Sequence, residues 1–172
     1  MKIEQSGEPV GEVVSLDLVK QHCRIRHNDD DDLIGHYINS AVEWVKDACQ
    51  TTLLKTEFTA TGKSFHLSFD GYPNPEIVSI AYVDMLGATG TITEFEICDN
   101  RLVVENAPQV SSVTVVFKAG LGAGNVPAKL AQAVLMLAAS FYLQRSDITG
   151  DLTNSVPYGV KAMVAHHRSF AF

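Results

Sequence analysis

The hydrophobic periodicity of the chain changes twice, near residue 54 and again near residue 126. Outside these points, apolar residues recur every three or four positions, as they do on one face of an α-helix. Between them, short segments alternate or are rich in β-branched and aromatic residues, and glycines separate the segments. A block of strands placed between two blocks of helices predicts an α+β fold, not an α/β fold.

The first block predicts two helices. Ser15 can cap a short helix over residues 16–24, and Asn28 or Asp29 can cap a longer one over residues 30–49. Acidic side chains crowd the first turn of the longer helix, where the helix dipole favours them. The run "NDDDD" lacks the spaced ligands, central glycine and late glutamate of a calcium loop, so we interpret it as a solvated helix start.

The central and last blocks complete the layout. Six or so short antiparallel strands are expected over residues 54–119, with a hairpin turn at Asp99-Asn100. "AKLAQAVLMLAASFYLQR" is apolar almost all round, which indicates a buried helix, and a short helix after a proline ends the chain. We expect one domain in which residues 15–50 and 126–168 pack together as a helical scaffold. The β region projects from it as an insert, and residues 1–14 are flexible.

The junction "VTVVFKAGLGAGNVPAKL" has the strand, glycine loop and helix order of a nucleotide site. Its glycines, Gly120, Gly122 and Gly124, do not have the spacing of a dinucleotide fingerprint, and Asn125 stands where the third glycine would fall. The loop also lacks the Gly-Lys-Ser/Thr ending of a P-loop, and Pro127 removes an N–H group that a phosphate would need. The pattern therefore predicts a turn that requires positive φ angles.

Composition excludes several classes of protein. The formal net charge is −7, so the chain has no overall attraction for nucleic acid. No apolar run approaches the roughly 20 residues of a membrane span, and the polar N-terminus has no signal core, so we expect an intracellular protein. The three cysteines have no disulfide-like spacing and indicate reduced, mostly buried thiols.

No catalytic constellation rises above chance in the sequence. Neither a Gly-x-Ser-x-Gly nor a His-Glu-x-x-His motif occurs. Cys23, His27, His36 and Cys49 could supply a zinc site, but their spacing matches no compact zinc pattern. We therefore expect no metal, no cofactor and no enzymatic activity.

Two features near the end of the chain are candidates for contacts with other proteins. Phe170 and Phe172 lie beyond the last predicted helix, where nothing local covers them, and exposed terminal aromatics are frequent docking elements. We take Tyr158 and Arg168, together with these two phenylalanines, as the candidate interface residues. The polar loop "SDITGDLTNS" is a further candidate, because long polar loops often become ordered only on assembly.

Three phrases, in this order and spacing, resemble the head–tail connector proteins (adaptor, or head-completion proteins) of long-tailed bacteriophages and their prophages. The first is "VSLDLVKQHCRIRHNDDDDLIGHYINSAVEWVKDAC", and the second is "YPNPEIVSIAYVD" followed by Gly87. The third begins at "VTVVFKAGLGAGNVPAKL" and continues through "VPYGVKAMVAHHR". The resemblance covers residues 13–168. Phe117 stands where a tyrosine is common in the family, and Ser140-Phe141 precede Tyr142 in a second mild departure.

The resemblance implies a structural virion protein and no enzyme. Connectors of this kind form rings of about a dozen copies beneath the portal protein, extend the DNA channel, and present a surface to the stopper or tail-completion protein. DNA would pass without specific binding, and no membrane is involved. The expected location is the neck of the virion, with the host cytoplasm during assembly. Longer members of the family carry a β insert in the helical scaffold.

Two alternatives remain open at this stage. The β insert could be a binding module for a capsid or host partner, which predicts a concave or aromatic-lined patch around Tyr72, Tyr82 and Phe95. Alternatively, the histidines and cysteines near the first two helices could form a metal-dependent active site, which predicts that they converge on one ion.

Overall fold

The computed structural model describes residues 1–144 and 156–167, and the chain forms two compact units. The β unit comprises residues 1–11 and 54–122, and the helical unit comprises residues 12–53 and the described residues from 123 onward. The predicted α+β class is confirmed, because helices and an antiparallel sheet occupy separate stretches of the chain.

The helical unit contains α1 (Leu16–Cys23), α2 (Asp31–Cys49), α3 (Ala128–Leu143) and α4 (Tyr158–Ala165). The N-terminal and C-terminal helices pack together as predicted, with α2 and α4 both against α3. Ser15 begins α1 by accepting a hydrogen bond from the Leu18 N–H at 3.3 Å. Buried side chains of all four helices form its core: Val19, Ile34, Ala41, Val45, Cys49, Leu130, Val134, Leu137, Val160 and Val164.

The β unit contains seven strands: β1 (Lys2–Gln5), β2 (Thr56–Gly62), β3 (Glu76–Asp84), β4 (Thr89–Thr91), β5 (Glu96–Cys98), β6 (Arg101–Val103) and β7 (Val110–Ala119). Five of them form one sheet in the order β1-β2-β7-β3-β4, and every neighbouring pair is antiparallel. β5 and β6 form a separate hairpin. Its turn residues, Asp99 and Asn100, have φ angles of 48° and 61°, so the predicted hairpin is confirmed.

One face of the five-stranded sheet is covered by an aromatic core. The rings of Phe58 and Phe69 contact Phe117, with centroids 5.6 and 5.1 Å apart. Phe69 belongs to "SFHLSFDG", whose alternation suggests a strand. Its apolar residues do point alternately into the core, but the segment only borders β6: the Leu102 N–H donates to the Leu67 carbonyl at 2.9 Å.

The N-terminal segment differs from the prediction. We expected residues 1–14 to be flexible, yet Lys2–Gln5 form β1, which pairs with β2 along its whole length. Ile3 packs against the aromatic core, and Val10 forms an isolated bridge with Lys55. A four-residue strand with one inward apolar side chain gives too little periodicity to be distinguished from a polar tail.

Candidate docking surfaces

The glycine loop is a corner, as the sequence predicts. Gly120 has a φ of +139° and Gly122 one of +84°. The Gly120 N–H donates to the Pro73 carbonyl at 2.8 Å, and a Cβ at Gly120 would lie 2.5 Å from the Leu54 carbonyl carbon. The first amide of the loop is therefore already bonded within the protein, and the glycine permits close packing of two backbone segments.

The acidic run at the start of α2 has partners that the sequence analysis missed. Lys20 is buried, and its Nζ donates to Asn28 Oδ1 at 2.7 Å and to Asp31 Oδ1 at 2.6 Å. The Tyr142 hydroxyl donates to Asp30 Oδ2 at 2.7 Å. Two of the four aspartates thus join α1 and α3 to the start of α2, and the run is only partly a solvated face.

The predicted cap of α2 is wrong by one or two residues. Asp30, not Asn28 or Asp29, occupies the N-cap position, and its side chain makes no capping bond to the backbone. Asp30 bonds Tyr142 instead, on a different helix. The sequence carries no clear signal for this network, because the burial of Lys20 follows from the fold.

The histidines and cysteines near α1 and α2 do not assemble into a metal site. Within residues 1–144 and 156–167, no three His, Cys, Asp or Glu side chains are placed to hold one ion. Cys49 is buried in the helical core, and burial raises the pKa of its thiol above the ordinary value. The same cause raises the pKa of the half-buried Cys23, so both thiols stay protonated and are poor ligands near neutral pH.

The candidate interface residues fall in two groups. Tyr158 lies at the first position of α4, and 85% of its surface is exposed. Arg168, Phe170 and Phe172 lie outside the described residues, as does the loop "SDITGDLTNS". Tyr158 is thus the one candidate whose availability for contact is visible, and the other three stay predictions.

The aromatic residues named for a binding module in the β unit serve the unit's own core. Tyr72, Tyr82 and Phe95 are partly buried against that core. The Tyr72 ring packs edge-on to Phe58 at 4.9 Å, and Tyr82 packs on Phe65 at 6.1 Å. These contacts argue against an aromatic-lined binding patch at this position.

A groove of about 620 Å³ opens elsewhere in the β unit. Its lining includes the basic residues Lys63, His66 and Arg101, and the apolar residues Phe65, Met85, Leu102, Val103, Val104, Ala107, Pro108 and Val110. The groove could not be predicted from the sequence, because it combines residues from four separate parts of the chain.

The β3–β4 hairpin presents an apolar tip that the sequence analysis also missed. Met85 is 66% exposed and Leu86 is 95% exposed. The tip is held in shape by Asp84, whose Oδ1 accepts hydrogen bonds from the Leu86 and Ala88 amides, both at 2.8 Å. Large apolar side chains that are exposed on a well-ordered turn often bind another protein. The signal in the sequence was "DMLG", an apolar pair directly before a glycine.

Comparison with known proteins connects this fold to virion necks. Residues 13–82 match the family model of the phage gp6-like head-tail connector protein. No helix in the described part of the chain has the length and apolar character needed to cross a membrane. No curated protein matches the chain.

The solved structures that share the fold include chains of GTA particles. A chain from the neck of an empty GTA particle, computed with C6 symmetry, has a TM-score of 0.78 at 19% identity, covering 100% of this chain and 97% of that one. A chain from the virion of a native gene transfer agent (GTA) particle gives 0.78 at 20%, with the same coverage. A chain from the neck of a native GTA particle, computed with C12 symmetry, gives 0.69 at 20%, with 97% of each chain covered. The predicted resemblance is therefore confirmed: the chain resembles the phage head–tail connector proteins in the sequence of residues 13–82, and it has the fold of a GTA neck protein over its whole length.

Proposed function

We propose that this chain is a structural, non-enzymatic subunit of the neck of a tailed phage or phage-like particle. It forms a ring beneath the portal protein and extends the DNA channel towards the tail. The observation that carries the proposal is the agreement in fold with a neck protein across the entire chain, helical and β units together. The connector match over residues 13–82 supports the same role from the sequence.

The charge of the chain suits a conduit for DNA. With a formal net charge of −7 per copy, a ring of about a dozen copies is strongly acidic. DNA carries a negative charge on every phosphate, so an acidic wall repels it and leaves it free to slide. The proposed interaction with DNA is thus containment, not binding.

The proposed partners are further copies of the chain, the portal protein, and a stopper or tail-completion protein. An exposed tyrosine at a helix start is a typical anchor for such contacts, because it buries a large area at little entropic cost. We propose Tyr158 for this role, together with Arg168, Phe170 and Phe172, and we place their contact on the portal or on the neighbouring copy.

Native mass determination and negative-stain microscopy test the proposal. The concentrated protein is examined alone and then mixed with the portal protein from the same genome. Closed rings with a channel wide enough for duplex DNA are expected in at least the second sample. Failure to form rings in both samples would contradict the connector role.

A pair of variants tests the candidate anchor. Tyr158→Ser removes an exposed ring and leaves the helical core intact, whereas Lys129→Ser changes another exposed residue, at the start of α3. We expect Tyr158→Ser to weaken ring formation or portal binding by at least about tenfold, as loss of an interface anchor does, and Lys129→Ser to leave both unchanged. Equal behaviour of the two variants would remove Tyr158 from the interface.

The hairpin tip supports a second role for the β unit, as a binding module for a capsid or host partner. Met85 and Leu86 are the most exposed pair of large apolar residues that adjoin in the described chain. If the tip binds such a partner, Leu86→Ser leaves ring formation intact but prevents attachment of tails or of the partner. Loss of rings in Leu86→Ser would instead place the tip in the contact between copies.

A further inference from the structure

The five-stranded sheet ends in two open edges, β1 and β4, on opposite sides. In the described chain, each of these strands pairs with a neighbour on one side only. An open edge presents unpaired N–H and C=O groups to any strand that can align with it. The directions of these groups can be derived from the hydrogen bonds.

On β4, the residues whose backbone N–H and C=O groups point to the open side are Thr89 and Thr91. The Ile92 N–H donates to the Ile80 carbonyl at 2.9 Å, and the Asp84 N–H donates to the Ala88 carbonyl at 2.9 Å. Along an antiparallel strand, alternate residues bond to the same neighbour. Ala88, Gly90 and Ile92 therefore bond to β3, and the backbone groups of the two threonines point away from the sheet. Both threonines are exposed.

On β1, the residues whose backbone N–H and C=O groups point to the open side are Ile3 and Gln5. The Ser6 N–H donates to the Glu57 carbonyl at 2.9 Å, in register with the pairs Glu4–Thr59 and Lys2–Thr61. These even-numbered residues therefore bond to β2. The backbone groups of Ile3 and Gln5 point to the open side.

The pleat decides how the two edges can meet. Residues paired across the sheet share a face, and the row Lys2, Thr61, Thr114, Ala81 and Thr91 runs from edge to edge. Thr91 thus lies on the face of Lys2 and Glu4, while Ile3 lies on the opposite, core-facing side. An antiparallel pair would set Thr91 directly opposite Ile3 or Gln5, which mismatches the faces. A parallel pair sets Thr91 opposite Glu4, which matches them.

The direction of the strands gives the same answer independently. Four successive antiparallel pairings separate β1 from β4, so the two strands run in the same direction. Copies related by rotation about a ring axis keep that direction. When the β1 edge of one copy meets the β4 edge of the next, the two strands are parallel.

We propose that β4 of one copy pairs in parallel with β1 of the next copy in the ring. Thr91 lies opposite Glu4 and Thr89 opposite Lys2 of the neighbour. The Thr91 N–H donates to the Ile3 carbonyl, and the Thr91 carbonyl accepts from the Gln5 N–H; the Thr89 carbonyl accepts from the Ile3 N–H. This inference rests on the proposed ring and identifies a contact that closes it.

The dimensions suit a neck ring. At about 4.8 Å between strands, five strands give each copy about 24 Å of circumference. Twelve copies, the symmetry with which one related neck was computed, then form a ring about 90 Å across. Two irregularities in β3, between Ile77 and Ser79 and between Val83 and Asp84, provide the local bends that a closed ring of sheets needs.

Disulfide cross-linking tests the register directly. We place Glu4→Cys and Thr91→Cys in one chain, with Cys98→Ser to remove the exposed native thiol. The two new cysteines are four strand spacings apart within one copy, about 19 Å, so they cannot pair intramolecularly. Oxidised rings should give a covalent ladder up to the full ring on a non-reducing gel. Each single variant, in the same background, should give only monomer.

Two results would overturn the inference. Rings that are visible by microscopy but do not cross-link would reject the β1–β4 contact while leaving the connector role intact. Dimers from Thr91→Cys alone would mean that β4 pairs with β4 about a two-fold axis. If no rings form even with the portal protein, the connector role itself fails, and the inference fails with it.

A matched pair of variants tests the hydrogen bonds. Thr91→Pro removes an N–H group that points away from the sheet, a position where an edge strand tolerates proline. Thr91→Val retains that N–H and the β-branched shape. We expect the proline variant to reduce the fraction of protein in rings at least tenfold, while the valine variant assembles as the unsubstituted protein does. Equal assembly of the two folded variants would overturn the inference, and if the proline variant does not fold, the cross-linking result decides.

Discussion

Replacing Gly120 by alanine should destabilise the protein severely, because two independent constraints meet at this residue. Its φ of +139° lies in a region that residues other than glycine rarely adopt. A Cβ would also overlap the carbonyl group of Leu54 and lie 2.8 Å from the Lys55 nitrogen. All the overlapping atoms belong to the backbone, so no side-chain rotation can relieve the clash.

The expected magnitude follows from these two contributions. An unfavourable backbone conformation costs about 1–3 kcal/mol, and overpacking costs about 1–3 kcal/mol. Their sum predicts a loss of about 2–6 kcal/mol in the free energy of unfolding.

Two other glycines separate the contributions. Gly87 has a φ of +87°, and a Cβ added there would meet open space. Gly87→Ala should therefore lower the free energy of unfolding only by the cost of the unfavourable backbone conformation. Gly124 has neither constraint, and Gly124→Ala should change the free energy of unfolding by less than about 0.5 kcal/mol.

Urea denaturation of the three variants, followed by far-ultraviolet circular dichroism, measures these differences. The expected order of destabilisation is Gly120→Ala, then Gly87→Ala, then Gly124→Ala. A Gly120→Ala protein no less stable than Gly87→Ala would refute the argument that the close backbone approach requires glycine. Insoluble Gly120→Ala protein, with the other two soluble, would agree with the predicted order.

Three further predictions concern the helical unit. Lys20→Met should lower the free energy of unfolding of this unit by about 1.5–3 kcal/mol in urea denaturation, because loss of the ammonium group leaves the Asp31 carboxylate and the Asn28 side-chain carbonyl without their donor. Lys46→Met at a surface ion pair should cost less than about 1 kcal/mol. Tyr142→Phe should cost about 1 kcal/mol by the same assay, and no loss would mean that its bond to the α2 start contributes nothing. Stability should fall as pH rises above about 9, because the raised pKa of the buried Cys49 thiol favours the protonated form in the folded state; this contribution is complete below the unfolded pKa. Thermal melts between pH 7 and 10 measure it, and Cys49→Ala should flatten that part of the profile.

Periodicity predicted the large elements well because each carries many repeats of its pattern. The apolar stripe of α2 continues for five turns, and its observed bounds, Asp31–Cys49, differ from the predicted 30–49 by one residue. In β7, a strand of ten residues, every second residue from Val113 to Ala119 is buried, so its pattern also repeats several times. β1 has only two residues on each face, and its assignment depends on β2, which lies more than fifty residues away in the sequence.

The candidate contacts could be predicted only in part, since most depend on the tertiary structure. Tyr158 could be named from the sequence as one of the candidates near the end of the chain, but its exposure is known only from the structure. Whether the backbone groups of Thr89 and Thr91 point away from the sheet depends on which residues of β4 bond to β3, and the residue types do not encode this. Likewise, Lys20 is an ordinary lysine in an amphipathic pattern until the fold brings Asp31 to its ammonium group.

The membership of β1 in the β unit changes what a minimal version of this protein would be. Within residues 1–144 and 156–167, the chain crosses between the two units three times, after residues 11, 53 and 122. Deleting residues 54–119 alone would leave β1 without its partner strand and expose Ile3. A truncated helical protein must therefore also lose residues 1–11. Conversely, a single proteolytic cut in any one of the three crossings leaves the two units covalently joined through the others.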